Sequence, residues 1–145
     1  MKISNLLKIN LKPFIYHVCL VLLGTGIIGA NWNSARNEAV LITFILMVLL
    51  HFAVGFLLTN QHTWYDNLLS VSVILIFNGV LYMYNKVDQT GFQSLMDGIV
   101  IVFKFPFLYI LGWHGPNYPL LVIFLPSLLL WFGLECKSQF YKLKR

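Results

Sequence analysis

Charge is what this sequence has least of: only 10% of its 145 residues are Asp, Glu, Lys or Arg, against roughly 25% in an ordinary soluble domain. With 59% apolar residues and a mean hydropathy of +0.77, so short a chain cannot hide its apolar surface inside a water-soluble particle. The same figures exclude a disordered chain, which needs low hydrophobicity and high net charge. Cysteine is scarce too. Cys19 and Cys136 are too few for a disulfide scaffold. Neither has a companion at metal-ligand spacing, and His17, His51, His62 and His114 are scattered, so no metal is expected. Glycine-rich phosphate loops, nucleophile elbows and paired carboxylates are missing as well. No catalytic residue and no cofactor is therefore expected, and lipid must cover the apolar surface.

Long apolar runs are what the chain has in place of charge. A helix needs about 20 mostly apolar residues to cross a hydrocarbon layer roughly 30 Å thick. Phe14 to Ala30, Ala39 to Thr59, Leu68 to Tyr84, and Pro119 to Leu134 qualify, and none contains Lys, Arg, Asp or Glu. Backbone groups in lipid must pair within their own segment, and barrel-type alternation is absent, so the runs predict helices. Residues 94–113 are ambiguous. Ile, Leu, Val and Phe residues between Gly98 and Trp113 contribute roughly −3 to −6 kcal/mol, which a central Lys104 at about +2.5 to +3.5 kcal/mol and Pro106 largely cancel. The segment reads as a re-entrant or interfacial helix pair broken at Pro106. The predicted fold is all-α: one membrane domain over residues 1–145, a four-helix bundle with that extra segment between spans three and four.

Orientation follows from the basic residues. Lys2, Lys8 and Lys12 precede the first run, and Lys137, Lys142, Lys144 and Arg145 follow the last, which places both termini in the cytoplasm, most simply at the plasma membrane. Two cytoplasmic ends require an even number of crossings, so four spans agree with the charges. Arg36, Lys86 and Lys104 fall in outward loops beside Glu38, Asp88 and Asp97. The basic start and apolar run also resemble a secretory signal peptide, but His17 interrupts the run and Ile28 is bulky where small residues are usual. The net charge of +5 sits in tails suited to anionic headgroups, so the bilayer and not nucleic acid is the expected partner.

Polar residues inside apolar runs are costly and point to packing or function. Counted from the inner ends, His51, Asn78, Ser127 and Thr25 fall near mid-depth on four different spans. They form a candidate polar layer in which His51 and Asn78 would share a hydrogen bond. His17, close to Lys12, reads as a snorkelling interfacial residue. Thr25-x-x-x-Gly29 and Gly26-x-x-x-Ala30 offer small faces for close helix approach, within the chain or in a second copy. Cys19 reads as a small apolar filler and Cys136 as an ordinary thiol at the inner boundary. Between spans two and three, His62 and Asp66 are the one base-and-acid pair. Their spacing resembles the His-x-x-x-x-Asp box of glycerolipid acyltransferases, one residue short and without that family's other motifs, so the loop reads as a polar turn with interfacial aromatics.

The stretch around Lys104, Pro106 and Trp113 is the most individual outer surface. The leading functional expectation is a non-catalytic binding role, as an accessory subunit or an immunity or regulatory protein, with that segment meeting a membrane-protein or peptide partner. The competing expectation is a small transporter or channel, as a homo-oligomer, built on the layer around His51. An uncleaved chain predicts an intact mass of 16.7 kDa for the protein purified from membranes; loss of the first 30 or so residues, as signal peptides run to roughly that length, would contradict the first span.

Overall fold

A computed structural model describes residues 3–31, 36–61, 63–87, 95–107 and 119–143. Their regular elements are helical throughout: α1 (Ile3–Ala30), α2 (Arg36–Gly55), α3 (Trp64–Leu69), α4 (Ser72–Val87), α5 (Leu95–Lys104) with a 3₁₀ turn at Phe105–Phe107, and α6 (Pro119–Leu143). Three stretches are long and apolar enough to cross a membrane, namely Lys8–Ala30, Glu38–Gly55 and Trp64–Leu81. The chain is thus suited to a bilayer on helix length and composition. α2 lies against α1 and α6, α4 lies against the same two helices, and α5 with its turn packs on α1 and α2.

Several boundaries differ from those the apolar runs predict, each for a local reason. α1 starts at Ile3 and carries Lys8, Lys12 and Pro13 within it, because a lysine near a helix end places its charge outside the apolar layer without breaking the helix. α2 stops at Gly55, and Phe56, Leu57 and Leu58 continue as tight turns onto the carbonyls of Ala53, Val54 and Gly55. The run from Leu68 to Tyr84 is not one uninterrupted helix. In a continuous helix the Val73 N–H would donate to the Leu69 carbonyl. Here the Asn10 side chain takes both partners, its Oδ1 accepting from Val73 N at 3.1 Å and its Nδ2 donating to Leu69 O at 2.8 Å. A buried amide spliced into the ladder this way separates α3 from α4 while leaving both backbone groups satisfied. α5 ends at Lys104, just before Pro106, as a proline dictates for the residues preceding it.

Each long helix buries one narrow stripe. On α2 the buried residues Ala39, Thr43, Met47, His51 and Gly55 recur at every fourth position, and on α1 Asn10, Pro13, His17, Val21, Gly24 and Ile28 recur at three and four, the spacing of one helix face. The buried positions are small or polar as often as apolar, whereas Leu22, Leu23, Ile42, Leu49, Ile76 and Phe132 are exposed. Lipid tails are as apolar as leucine, so close approach and polar contact, not apolar burial, set which face turns inward.

The tightest approach is between α2 and α6. A Cβ on Gly55 would collide with Leu130 O and Gly133 Cα, and one on Gly133 with Phe52 O and Gly55 Cα. The expected small faces of α1 behave otherwise, since a Cβ on Gly26 or Gly29 would meet nothing within 4 Å and Ala30 is exposed. At the end of the chain's helices where α2 stops, polar groups tie the elements together. Asn67 Nδ2 donates to Asn60 Oδ1 at 3.1 Å and Glu135 Oε1 at 2.7 Å, and Asn60 Nδ2 donates to Ser138 Oγ at 3.1 Å. The carbonyls left over by the end of α2 receive lysines from both sides, Lys137 Nζ on Leu58 O at 2.7 Å and Lys12 Nζ on Leu57 O at 3.5 Å.

Adding a methyl group separates the two kinds of glycine. Gly133→Ala should lower stability by about 1–3 kcal/mol, the cost of overpacking, whereas Gly26→Ala should be neutral or raise it by up to about 1 kcal/mol through helix propensity. Reversible unfolding in mild detergent measures both, and equal effects would contradict the α2–α6 contact.

Candidate functional site: a buried histidine pair

Two helices bring two imidazoles together in the interior. His51 follows Met47 by one turn on the buried stripe of α2, and its Nδ1 lies 2.7 Å from Met47 O. His17 of α1 meets it from the side, with Nδ1 3.0 Å from His51 Nε2 and the rings 5.3 Å apart at 60°. Their exposures are 1% and 0%. These two contacts determine where the hydrogens are when both rings are neutral. A carbonyl oxygen only accepts, so His51 Nδ1 carries a hydrogen and donates to Met47 O; its Nε2 is then bare and accepts. His17 Nδ1 must therefore donate to it. The remaining nitrogen, His17 Nε2, is left with a lone pair and, although buried, has no hydrogen-bond partner.

Among the described residues the surroundings are aromatic and uncharged. Phe103 of α5 stands 5.8 Å from the His17 ring and Phe107 of the 3₁₀ turn 6.2 Å from the His51 ring. α5 is held there by Thr25, whose hydroxyl donates to Val102 O at 2.9 Å, and by Pro106, which sits against Gly24 where a Cβ would come within 3.0 Å. Glycine at 24 is what allows the proline ring to seat. Asn78 of α4 lies beside His17, without a hydrogen bond to Nε2. Thr43 Oγ1, two turns along α2 on the same face, is a second buried polar atom lacking a partner.

The expected mid-depth layer is therefore rearranged. His51 and Asn78 do come to the same region, but each is next to His17 instead of bonded to the other. His17 is a corrected reading: it lies inside, not at the headgroups, because the turn of α1 that carries it faces α2. Ser127 is satisfied within its own helix by Phe124 O at 2.9 Å, and Thr25 engages α5. A shared depth does not imply a shared face. Pro106 and Phe107 are buried, so this part of the outer segment is folded back on α1 and α2. The Lys104 side chain, Trp113 and His62 lie outside the described residues. Asp66 has a structural role, its backbone N–H donating to Thr63 Oγ1 at 3.1 Å and its Oδ2 accepting from that hydroxyl at 2.7 Å, so that Thr63 is the N-cap that starts α3. Among the described residues no three His, Cys, Asp or Glu side chains are gathered as a metal site would need, and both cysteines are free, Cys19 being exposed.

Compared with known proteins, the chain matches no family model, no curated protein and no solved structure.

A double-mutant cycle measures the pair. His17→Phe and His51→Phe should be coupled by about 0.6–1.7 kcal/mol, the range of interhelical hydrogen bonds in lipid, read from reversible unfolding. Additive losses would mean that the rings do not interact.

Proposed function

We propose that the chain is an integral protein of the plasma membrane that passes protons across it by way of the histidine pair, as a small transporter with no catalytic role. In this reading the lipid is crossed four times, with the 25-residue α6 as the fourth span, both termini in the cytoplasm, and α5 with its turn as a re-entrant cover between spans three and four. The basic residues at both ends support the orientation.

The observation that carries the reading is the buried His17–His51 pair, in which His17 Nε2 makes no hydrogen bond although the Asn78 amide lies beside the ring. Ionisable groups within membrane helices mark proton and ion pathways. A proton arriving at Nε2 makes His17 an imidazolium whose Nδ1–H still points at His51 Nε2, so the charge is shared across the 3.0 Å contact. His51 cannot pass it further, since its Nδ1 hydrogen is already committed to Met47 O at 2.7 Å. The pair therefore has a single port. A one-ported site delivers across the membrane only when the port faces each side in turn, which makes the α5 cover, held by Thr25 and Pro106, the element that must move.

A second reading keeps the protein as a binding partner, an accessory or immunity protein for another membrane component. The inward position of Pro106 and Phe107 removes these two residues from such a surface. What favours it is the open face of α1 formed by Gly26, Gly29 and Ala30, shaped for another transmembrane helix, including one from a second copy.

Liposomes containing only the purified protein and a trapped pH-sensitive dye test the first reading. An imposed pH gradient should collapse faster than in empty liposomes, His17→Phe and His51→Phe should return the rate to that of empty liposomes while remaining folded, and Thr25→Val should alter it. No collapse with the unaltered protein would contradict proton passage; a companion protein retained in mild detergent alongside that result would favour the second reading.

A further inference from the structure

Where α2 stops, a cavity of about 260 Å³ opens between Lys8 and Lys12 of α1, Thr59 and Gln61 of the α2–α3 connection, and Ser70 after α3. We infer that it holds the phosphate of an anionic phospholipid headgroup. Five observations point there.

Lys8 and Lys12 are one turn apart, so their ammonium groups share one helix face, and both are exposed. None of the described residues lining the cavity is acidic; the described carboxylates at this end are engaged elsewhere, Asp66 with Thr63 and Glu135 with Asn67. The position of Lys12 is constrained by Leu57 O at 3.5 Å and by the Tyr16 ring, whose centroid is 5.7 Å from Nζ, which presents the charge at the cavity instead of leaving it free in solvent. Depth agrees as well: Lys8 is the first residue of the apolar stretch Lys8–Ala30, and Trp64 and Tyr65, 63% and 55% exposed at the same end, are the aromatic residues that favour a headgroup layer. The volume is below the range of about 300–1,000 Å³ typical of sites for drug-sized ligands, and basic pockets between membrane helices at this level take lipid phosphates. Free phosphate shares that chemistry, but acyl chains anchored against the exposed Leu11 and Ile15 of α1 would add apolar contact that the free ion lacks. The site is independent of the histidine pair and of proton passage.

Native mass spectrometry of the detergent-purified full chain, titrated with phosphatidylglycerol or phosphatidylcholine, tests this. Phosphatidylglycerol should bind preferentially, and Lys8→Gln and Lys12→Gln should each weaken it about five-fold, the contribution of one basic residue near an anionic surface. Lys142→Gln, at the same end but outside the cavity, should leave binding unchanged, and the charge-preserving Lys8→Arg/Lys12→Arg variant should retain it. An equal loss with Lys142→Gln would show diffuse surface charge and overturn the site. Displacement of phosphatidylglycerol by millimolar inorganic phosphate, with no preference over phosphatidylcholine, would assign the cavity to the free ion and overturn the lipid.

Discussion

A hydrogen bond between two imidazoles, from His17 on α1 to His51 on α2, is the interaction around which the interior is arranged. In water two apolar helices associate because solvent is released; in lipid that drive is absent, and a polar contact that has no alternative partner selects one face over another. Once His17 is turned toward α2, the rest of the α1 stripe follows, with Gly24 inward to meet Met47 and Pro106 and Asn10 inward at the junction of α3 and α4. The aromatic cover of Phe103 and Phe107 then has a floor to pack on.

The same constraint explains the other tight points. Gly55 and Gly133 allow backbones to touch where no side chain would fit, so dispersion contacts replace the missing solvent drive. Asn10 opens the helical ladder and closes it again with its own amide, so that the break between α3 and α4 leaves no bare backbone group at Leu69 or Val73. At the end of α2, Lys12 and Lys137 supply donors to carbonyls that a helix end leaves over. Polar atoms are thus placed wherever the regular backbone pattern is interrupted. Among the described residues two buried exceptions, His17 Nε2 and Thr43 Oγ1, stand out against that background, and one of them belongs to the titratable pair.

Much of the architecture was legible from hydropathy. Helical class, three of the apolar stretches and the stop before Pro106 follow from run length, charge position and proline chemistry, all of which are local. The site was legible only in part. A histidine in a long apolar run is conspicuous, which singles out His51, but its partner, 34 residues away, is close to Lys12 in sequence and so reads as a headgroup residue. Hydropathy cannot show rotation in a helix that is apolar on every side; the seven-residue spacing of Asn10, His17 and Gly24 carries that information. The splice by Asn10, which joins positions 59 residues apart, has no local signature at all. Thr25 and Ser127 share a depth with His51 yet bond elsewhere, because depth is readable from sequence and azimuth is set by packing.

The central claim is that one neutral imidazole donates to the other across α1 and α2. Solid-state NMR of the protein in bilayers, with isotope-labelled histidine and single His17→Phe and His51→Phe variants for assignment, tests it most directly. The account predicts a through-bond nitrogen–nitrogen coupling linking a protonated His17 Nδ1 to an unprotonated His51 Nε2, lost in either variant. Two uncoupled rings, each exchanging its hydrogens with water independently, would contradict it.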